Sequence, residues 1–99
     1  MMLSAAGYML DFRYRLVDPN KAAPLFDERD KPHLEHPRTG AKLIVPTPPK
    51  VGALRQKPEV PVVGKTYFMI FANPGRLVKA GETVTVIVGD FKAEDLVVH

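Results

Sequence analysis

The chain contains no cysteine, which removes disulfides, thiolate zinc sites and thiol nucleophiles from the chemistry open to it. Serine is nearly absent as well. The sole serine, Ser4, lies close to the N-terminus, a poor place for a nucleophile that must be held rigidly against a base. No apolar run approaches the roughly 18 residues of a membrane-spanning helix. The opening MMLSAAGYML lacks the basic start and apolar core of a secretory signal, and fits equally a natural cytosolic start and a chain that begins after a removed targeting peptide. Acidic residues are scarce in the middle: residues 36–79 hold eight Lys or Arg and one acid, a local balance of +7 within a total of +3.

What is plentiful is proline, with ten in 99 residues, about twice the usual share of roughly 5%. Long helices are excluded by that spacing. The 45% apolar and 25% charged fractions are those of a globular protein, and the length suits one domain over 1–99 with a single modest core.

Alternation is the clearest local signal. Tyr8, Leu10, Phe12, Tyr14 and Leu16 point one way while Met9, Asp11, Arg13, Arg15 and Val17 point the other, which predicts a half-buried strand. Asp18-Pro19-Asn20 stops it, leaving room for one helical turn over Lys21–Ala23 before Pro24. Pro37-Arg38-Thr39-Gly40 separates two short runs as a hairpin turn, with Gly40 at positive φ. Residues 46–64 hold Pro46, Pro48, Pro49, Pro58 and Pro61 and read as a long surface crossing. The run TYFMIFA (66–72) is apolar on both faces and belongs inside a sheet. Asn73-Pro74-Gly75 and Ala80-Gly81 turn the chain, Val84, Val86 and Val88 alternate, Gly89-Asp90 turns it again, and LVVH closes it as a last strand.

Together these give an all-β, antiparallel β-sandwich of Ig-like type with about six or seven strands; a Greek-key barrel of the OB type is the alternative. The expected buried face joins Tyr8, Leu10, Phe12, Tyr14 and Leu16 to Phe68, Ile70, Val84 and Val86, with residues 1–6 loose.

Motifs that would carry catalysis are weak. Asp27-Glu28 and Glu94-Asp95 are adjacent acids whose side chains diverge in a strand or loop. VVGKT (62–66) ends like a phosphate loop but lacks its first glycine, and a strand follows rather than a helix. A non-enzymatic role with no cofactor is expected. His33, Glu35 and His36, with Met9 as the one exposed thioether, form the candidate set for zinc or copper. In a strand, however, a spacing of three sends the two rings to opposite faces, and the ordinary reading is a pair of solvated histidines flanking a hairpin. Single-stranded nucleic acid requires aromatics exposed beside basic groups, whereas Tyr67, Phe68 and Phe71 are expected in the interior. Lys50, Arg55 and Lys57 lie on the proline-stiffened crossing, which reads first as a solvated connection between the two halves of the sandwich and second as a surface for an acidic protein or envelope partner.

The blocks YMLDFRYRLVDPNKAAPLF and KTYFMIFANPGRLVKAGETVTVIVGDFKAEDLVV resemble a group of uncharacterised, exported bacterial proteins that share both blocks and the proline-rich stretch between them. The resemblance spans nearly the whole chain. It implies a location outside the cytoplasm, in the periplasm or envelope, and carries no activity or site residue with it.

Overall fold

In the computed structural model, which describes residues 1–27, 30–46 and 60–99, seven strands form: β1 (Met2–Ser4), β2 (Met9–Arg15), β3 (His33–His36), β4 (Ala41–Ile44), β5 (Thr66–Ala72), β6 (Thr83–Val88) and β7 (Phe91–Val97). They make two antiparallel sheets, β1-β2-β5 and β4-β3-β6-β7. This is a small β-sandwich. One face of each sheet turns inward, and Leu10, Phe12, Leu34, Leu43, Tyr67, Met69, Phe71, Val84, Val86 and Val88 fill the space between.

The register of β2 against β5 decides which side chains are core. Leu10 lies opposite Phe71, Phe12 opposite Met69 and Tyr14 opposite Tyr67. Residues paired across an antiparallel ladder share a face, so the inward alternation of β2 selects Tyr67, Met69 and Phe71. Phe68 and Ile70, expected inside, lie on the outer face and are half-buried. A run apolar on both sides has no period of its own, and only the pairing fixes its inner face. Tyr8 departs too, being 54% exposed, because the strand begins one residue later.

The helical turn, α1 (Ala23–Phe26), takes Pro24 into its first turn, where a missing N–H costs nothing. The sequence placed the turn before that proline. Phe26 then packs edge-on to Tyr67, with ring centroids 5.2 Å apart, and tilts against Tyr14 at 6.1 Å, fastening the connection to the core. Gly40 closes the β3–β4 turn at φ 75°, as expected. Between β6 and β7 the ladder slips: Thr85 faces both Glu94 and Asp95, with Asp95 at φ 56°, a bulge that bends the last strand.

Residues 1–6, expected loose, are tied down. Met2–Ser4 pair with Met9–Asp11, and on the other side the Leu3 amide donates to the His99 carbonyl at 2.9 Å while the His99 amide donates to the Met1 carbonyl at 3.0 Å. These two bonds link the sheets along one side. Val98 beside them is almost fully buried.

Phe12, 6% exposed between the sheets, sets the first test. Phe12→Ala is expected to lower unfolding free energy by about 3–5 kcal/mol, measured as a shifted urea midpoint with unchanged slope.

Candidate functional site

At one end of the sandwich three connections meet: the 3₁₀ turn Ala5–Gly7, the hairpin turn 37–40 and the loop 73–82 that joins β5 to β6. Asn73 organises the first and third. Its side chain is fully buried, and its Nδ2 donates to the carbonyls of Gly7 and Val78, both at 2.9 Å. Its Oδ1 accepts from the Val78 amide at 3.0 Å. Its own amide donates to Tyr8 at 2.9 Å and its carbonyl accepts from Arg76 at 3.0 Å. A buried carboxamide is tolerated only when its donors and acceptors are matched in this way.

The backbone held by Asn73 is strained. Ala5 (φ 49°), Ala6 (φ 57°) and Arg76 (φ 55°) lie in the left-handed region that disfavours side chains. Gly7 is at φ 93°, and a Cβ there would sit 3.1 Å from Arg76 Nε, so the arginine stem runs across a position that only glycine leaves open. The Arg76 guanidinium rests 5.9 Å above the Tyr8 ring, a cation–π placement. Between the two loops is a cavity of about 450 Å³ walled by Leu3, Gly7, Gly75, Val78 and Ala80, with Arg76 and Lys79 as its charged members. Among the described residues neither cation has a carboxylate within ion-pair distance.

The far end of the loop is clasped by Glu82. Its Oε1 accepts from the Lys79 amide at 2.7 Å. Its Oε2 pairs with Arg38 and lies 3.4 Å from His36 Nε2, which binds the hairpin turn to the loop. The Lys79 amide holds the Glu82 carboxyl below its ordinary value; burial opposes this, and Arg38 and His36 add to it. His36 Nδ1 meets Thr39 Oγ1 at 2.9 Å. Hydroxyl, imidazole and carboxylate follow in the order of a nucleophile relay, but His36 Nε2 makes no hydrogen bond to Glu82. The His36 ring nevertheless has no exposed surface, and Thr39 Oγ1 also accepts from the Ala41 amide at 3.3 Å. The set therefore reads as a clasp on the β3–β4 turn.

The candidate metal set is not brought together. His33 and Glu35 lie on the outer face of β3, 3.4 Å apart, while His36 points inward with Leu34. Met9 is on the outer face of the other sheet. Among the described residues no group of three or more His, Asp or Glu is placed to hold a metal ion. The picture of two solvated histidines fits His33 only, since His36 is enclosed and joined to Glu82. Lys50, Arg55 and Lys57 lie outside the described residues. Arg76 and Lys79 were visible only as part of the basic middle, and their meeting at one cavity depends on Asn73, whose burial no local pattern signals.

The opposite end of the sandwich carries a more apolar cleft of about 340 Å³, where Val17, Ala22 and Phe91 meet Arg15 and Lys21. No helix among the described residues is long and apolar enough to cross a membrane. Comparison with protein-family models, with curated proteins and with solved structures returns no match. What the fold and the Asn73 end define is a small β-sandwich with a basic loop cleft.

Two outcomes test this geometry. Asn73→Ala would leave the Val78 amide and the Gly7 and Val78 carbonyls without their partner, at about 1–3 kcal/mol for a buried group so stranded. We expect a clear drop in the urea midpoint, together with faster hydrogen exchange at Val78. The second concerns pH. A carboxyl whose folded pKa is depressed stabilises the fold fully above its unfolded value of 4.5 and loses that contribution as pH falls through the folded value. Stability should therefore decline on acidification below that point, and Glu82→Gln should flatten this part of the profile, read by denaturant melts across acidic pH.

Proposed function

We propose that the chain is a non-catalytic binding module, acting outside the cytoplasm, that takes an acidic partner on the loop end of its sandwich. The observation that carries this reading is the pair of cations, Arg76 and Lys79, which among the described residues have no carboxylate within ion-pair distance, on a loop fixed at both ends by Asn73 and Glu82. Cations without a carboxylate beside them contribute little to folding, whereas on a well-anchored loop they attract and orient an anionic partner at low entropic cost. The exported location draws on the resemblance of the two sequence blocks, and cell fractionation tests it. The non-catalytic role is supported by an imidazole with no exposed face at His36, the lone serine lying in the short strand β1 at the other sheet.

The probe is a glutamate-rich peptide titrated calorimetrically into the full chain at low and moderate salt. Binding should weaken with salt, as exposed charge pairing does, and should fall about tenfold or more in an Arg76→Asn/Lys79→Gln variant, the loss of roughly one charged hydrogen bond or more. A Lys50→Glu/Arg55→Glu/Lys57→Glu variant should bind nearly as the parent does. The reverse pattern would move the interface to the proline-rich crossing and overturn the assignment to the loop end.

A further inference from the structure

Resting on that binding reading, we propose that the cavity between the Ala5–Gly7 turn and the 73–82 loop is an anchor pocket for one carboxylate carried on a short aliphatic body. This is the chemistry of a small aliphatic acid, and equally of a peptide's free C-terminus with an aliphatic last residue.

The composition of the wall specifies both halves of that ligand. Leu3 and Ala80 offer aliphatic surface over a floor formed by the buried Val78, and Arg76 and Lys79 supply the only charge on the lining among the described residues. A volume of about 450 Å³ falls in the range of small-ligand sites, roughly 300–1,000 Å³.

The backbone of residues 76–79 leaves no run of free amides for an anion. Loops that cradle phosphate do so with a run of free amides. Here the successive amides of Arg76, Leu77, Val78 and Lys79 are all spent internally, on Asn73 O, Pro74 O, Asn73 Oδ1 and Glu82 Oε1. Anion recognition falls to two side chains. A guanidinium fork matches a planar carboxylate through paired hydrogen bonds, with the lysine as a second point of charge.

Arg76 is also oriented in advance. Its stem crosses Gly7 and its head lies over Tyr8, so little rotamer freedom remains to be lost on binding. Among the described residues, three of the four non-glycine residues at positive φ, Ala5, Ala6 and Arg76, belong to the two loops that enclose this cavity. Backbone strain of about 1–3 kcal/mol per residue persists only where surrounding contacts enforce it, and it gathers at binding sites. The buried Asn73 provides that enforcement, and the geometry it enforces is the one that sets Arg76 beside Gly7 on the lining of the cavity.

The experiment is an amide-resolved NMR titration of the full chain with isocaproate, isocaproamide and inorganic phosphate. Two short peptides ending in leucine, one with a free and one with an amidated C-terminus, complete the series. Isocaproate should shift the amides of Gly7, Gly75 and Val78 saturably, while isocaproamide and phosphate should not. Arg76→Asn, chosen because asparagine accepts a left-handed backbone, and Lys79→Gln on an exposed position should each weaken isocaproate binding about tenfold. Tighter binding of the free-terminus peptide than of isocaproate, with none by the amidated one, would identify a chain terminus as the source; equal binding would identify a small acid. Both results support the pocket. Equal shifts from the amide or from phosphate, shifts mapping elsewhere, or unchanged affinity in both variants would overturn it. If the glutamate-rich peptide still depends on Arg76 and Lys79 while no carboxylate probe enters the cavity, the anchor pocket fails and the acidic-partner reading survives.

Discussion

The buried carboxamide of Asn73 is the constraint on which the loop end of the molecule depends. It joins residues 66 positions apart in sequence, Gly7 and Asn73, and in the same step closes the short loop back onto Val78. The interior gives no water to a polar group, so each of these contacts is costly to leave unmade even though each is modest in net worth. A hydrophobic side chain of similar volume would fill the space and leave the geometry of the two turns undetermined. The carboxamide determines it, because its donors and acceptor fix directions as well as distance.

Glu82 complements that arrangement from the other side. Where Asn73 is neutral and sealed, Glu82 is partly exposed and charged, and it joins three segments: the Lys79 amide, the Arg38 guanidinium and the His36 imidazole. The loop between these anchors has little freedom left, and its strain at Arg76 is held rather than relaxed. Basic side chains on such a loop are displayed in a fixed relation to the cavity beneath them. This distinguishes Arg76 and Lys79 from the scattered exposed cations of the strands, such as Arg13, which is satisfied locally by Asp11 at 3.2 Å.

The sequence was legible where local chemistry and tertiary demand agree. The alternation in residues 9–15, the turn at Gly40, the valines of β6 and the two-sheet architecture all follow from period and turn residues. It was less legible where both faces of a strand are apolar, so that Phe68 and Ile70 were expected inside when the pairing with β2 turns Tyr67, Met69 and Phe71 inward. The opposed faces of His33 and His36 followed from spacing alone, yet the burial of His36 did not, since its partner Glu82 is distant in the chain. The loop site was hidden for the same reason. Asn73-Pro74-Gly75 reads as an ordinary turn, and nothing in those letters reveals that the first of them is enclosed by residues of the N-terminal turn. The short N-terminal strand escaped detection because it is made by backbone bonds to β2 and to His99, which carry no side-chain signature.

Those backbone bonds bear on how the molecule keeps to itself. A two-sheet sandwich exposes strand edges, each a template on which another chain can add. Here the outer edge of β1 is occupied by the residue that follows Val98, so this side is closed by the protein's own main chain. The rest of β7 presents Lys92, Glu94 and Asp95 to solvent and is bent by its bulge, which makes a charged and twisted strand a poor partner for edge-to-edge stacking. Loss of the two residues after Val97 would therefore do more than remove a buried valine. It would uncover β1 as an unpaired edge, and the expected consequence is self-association before the fold itself is lost.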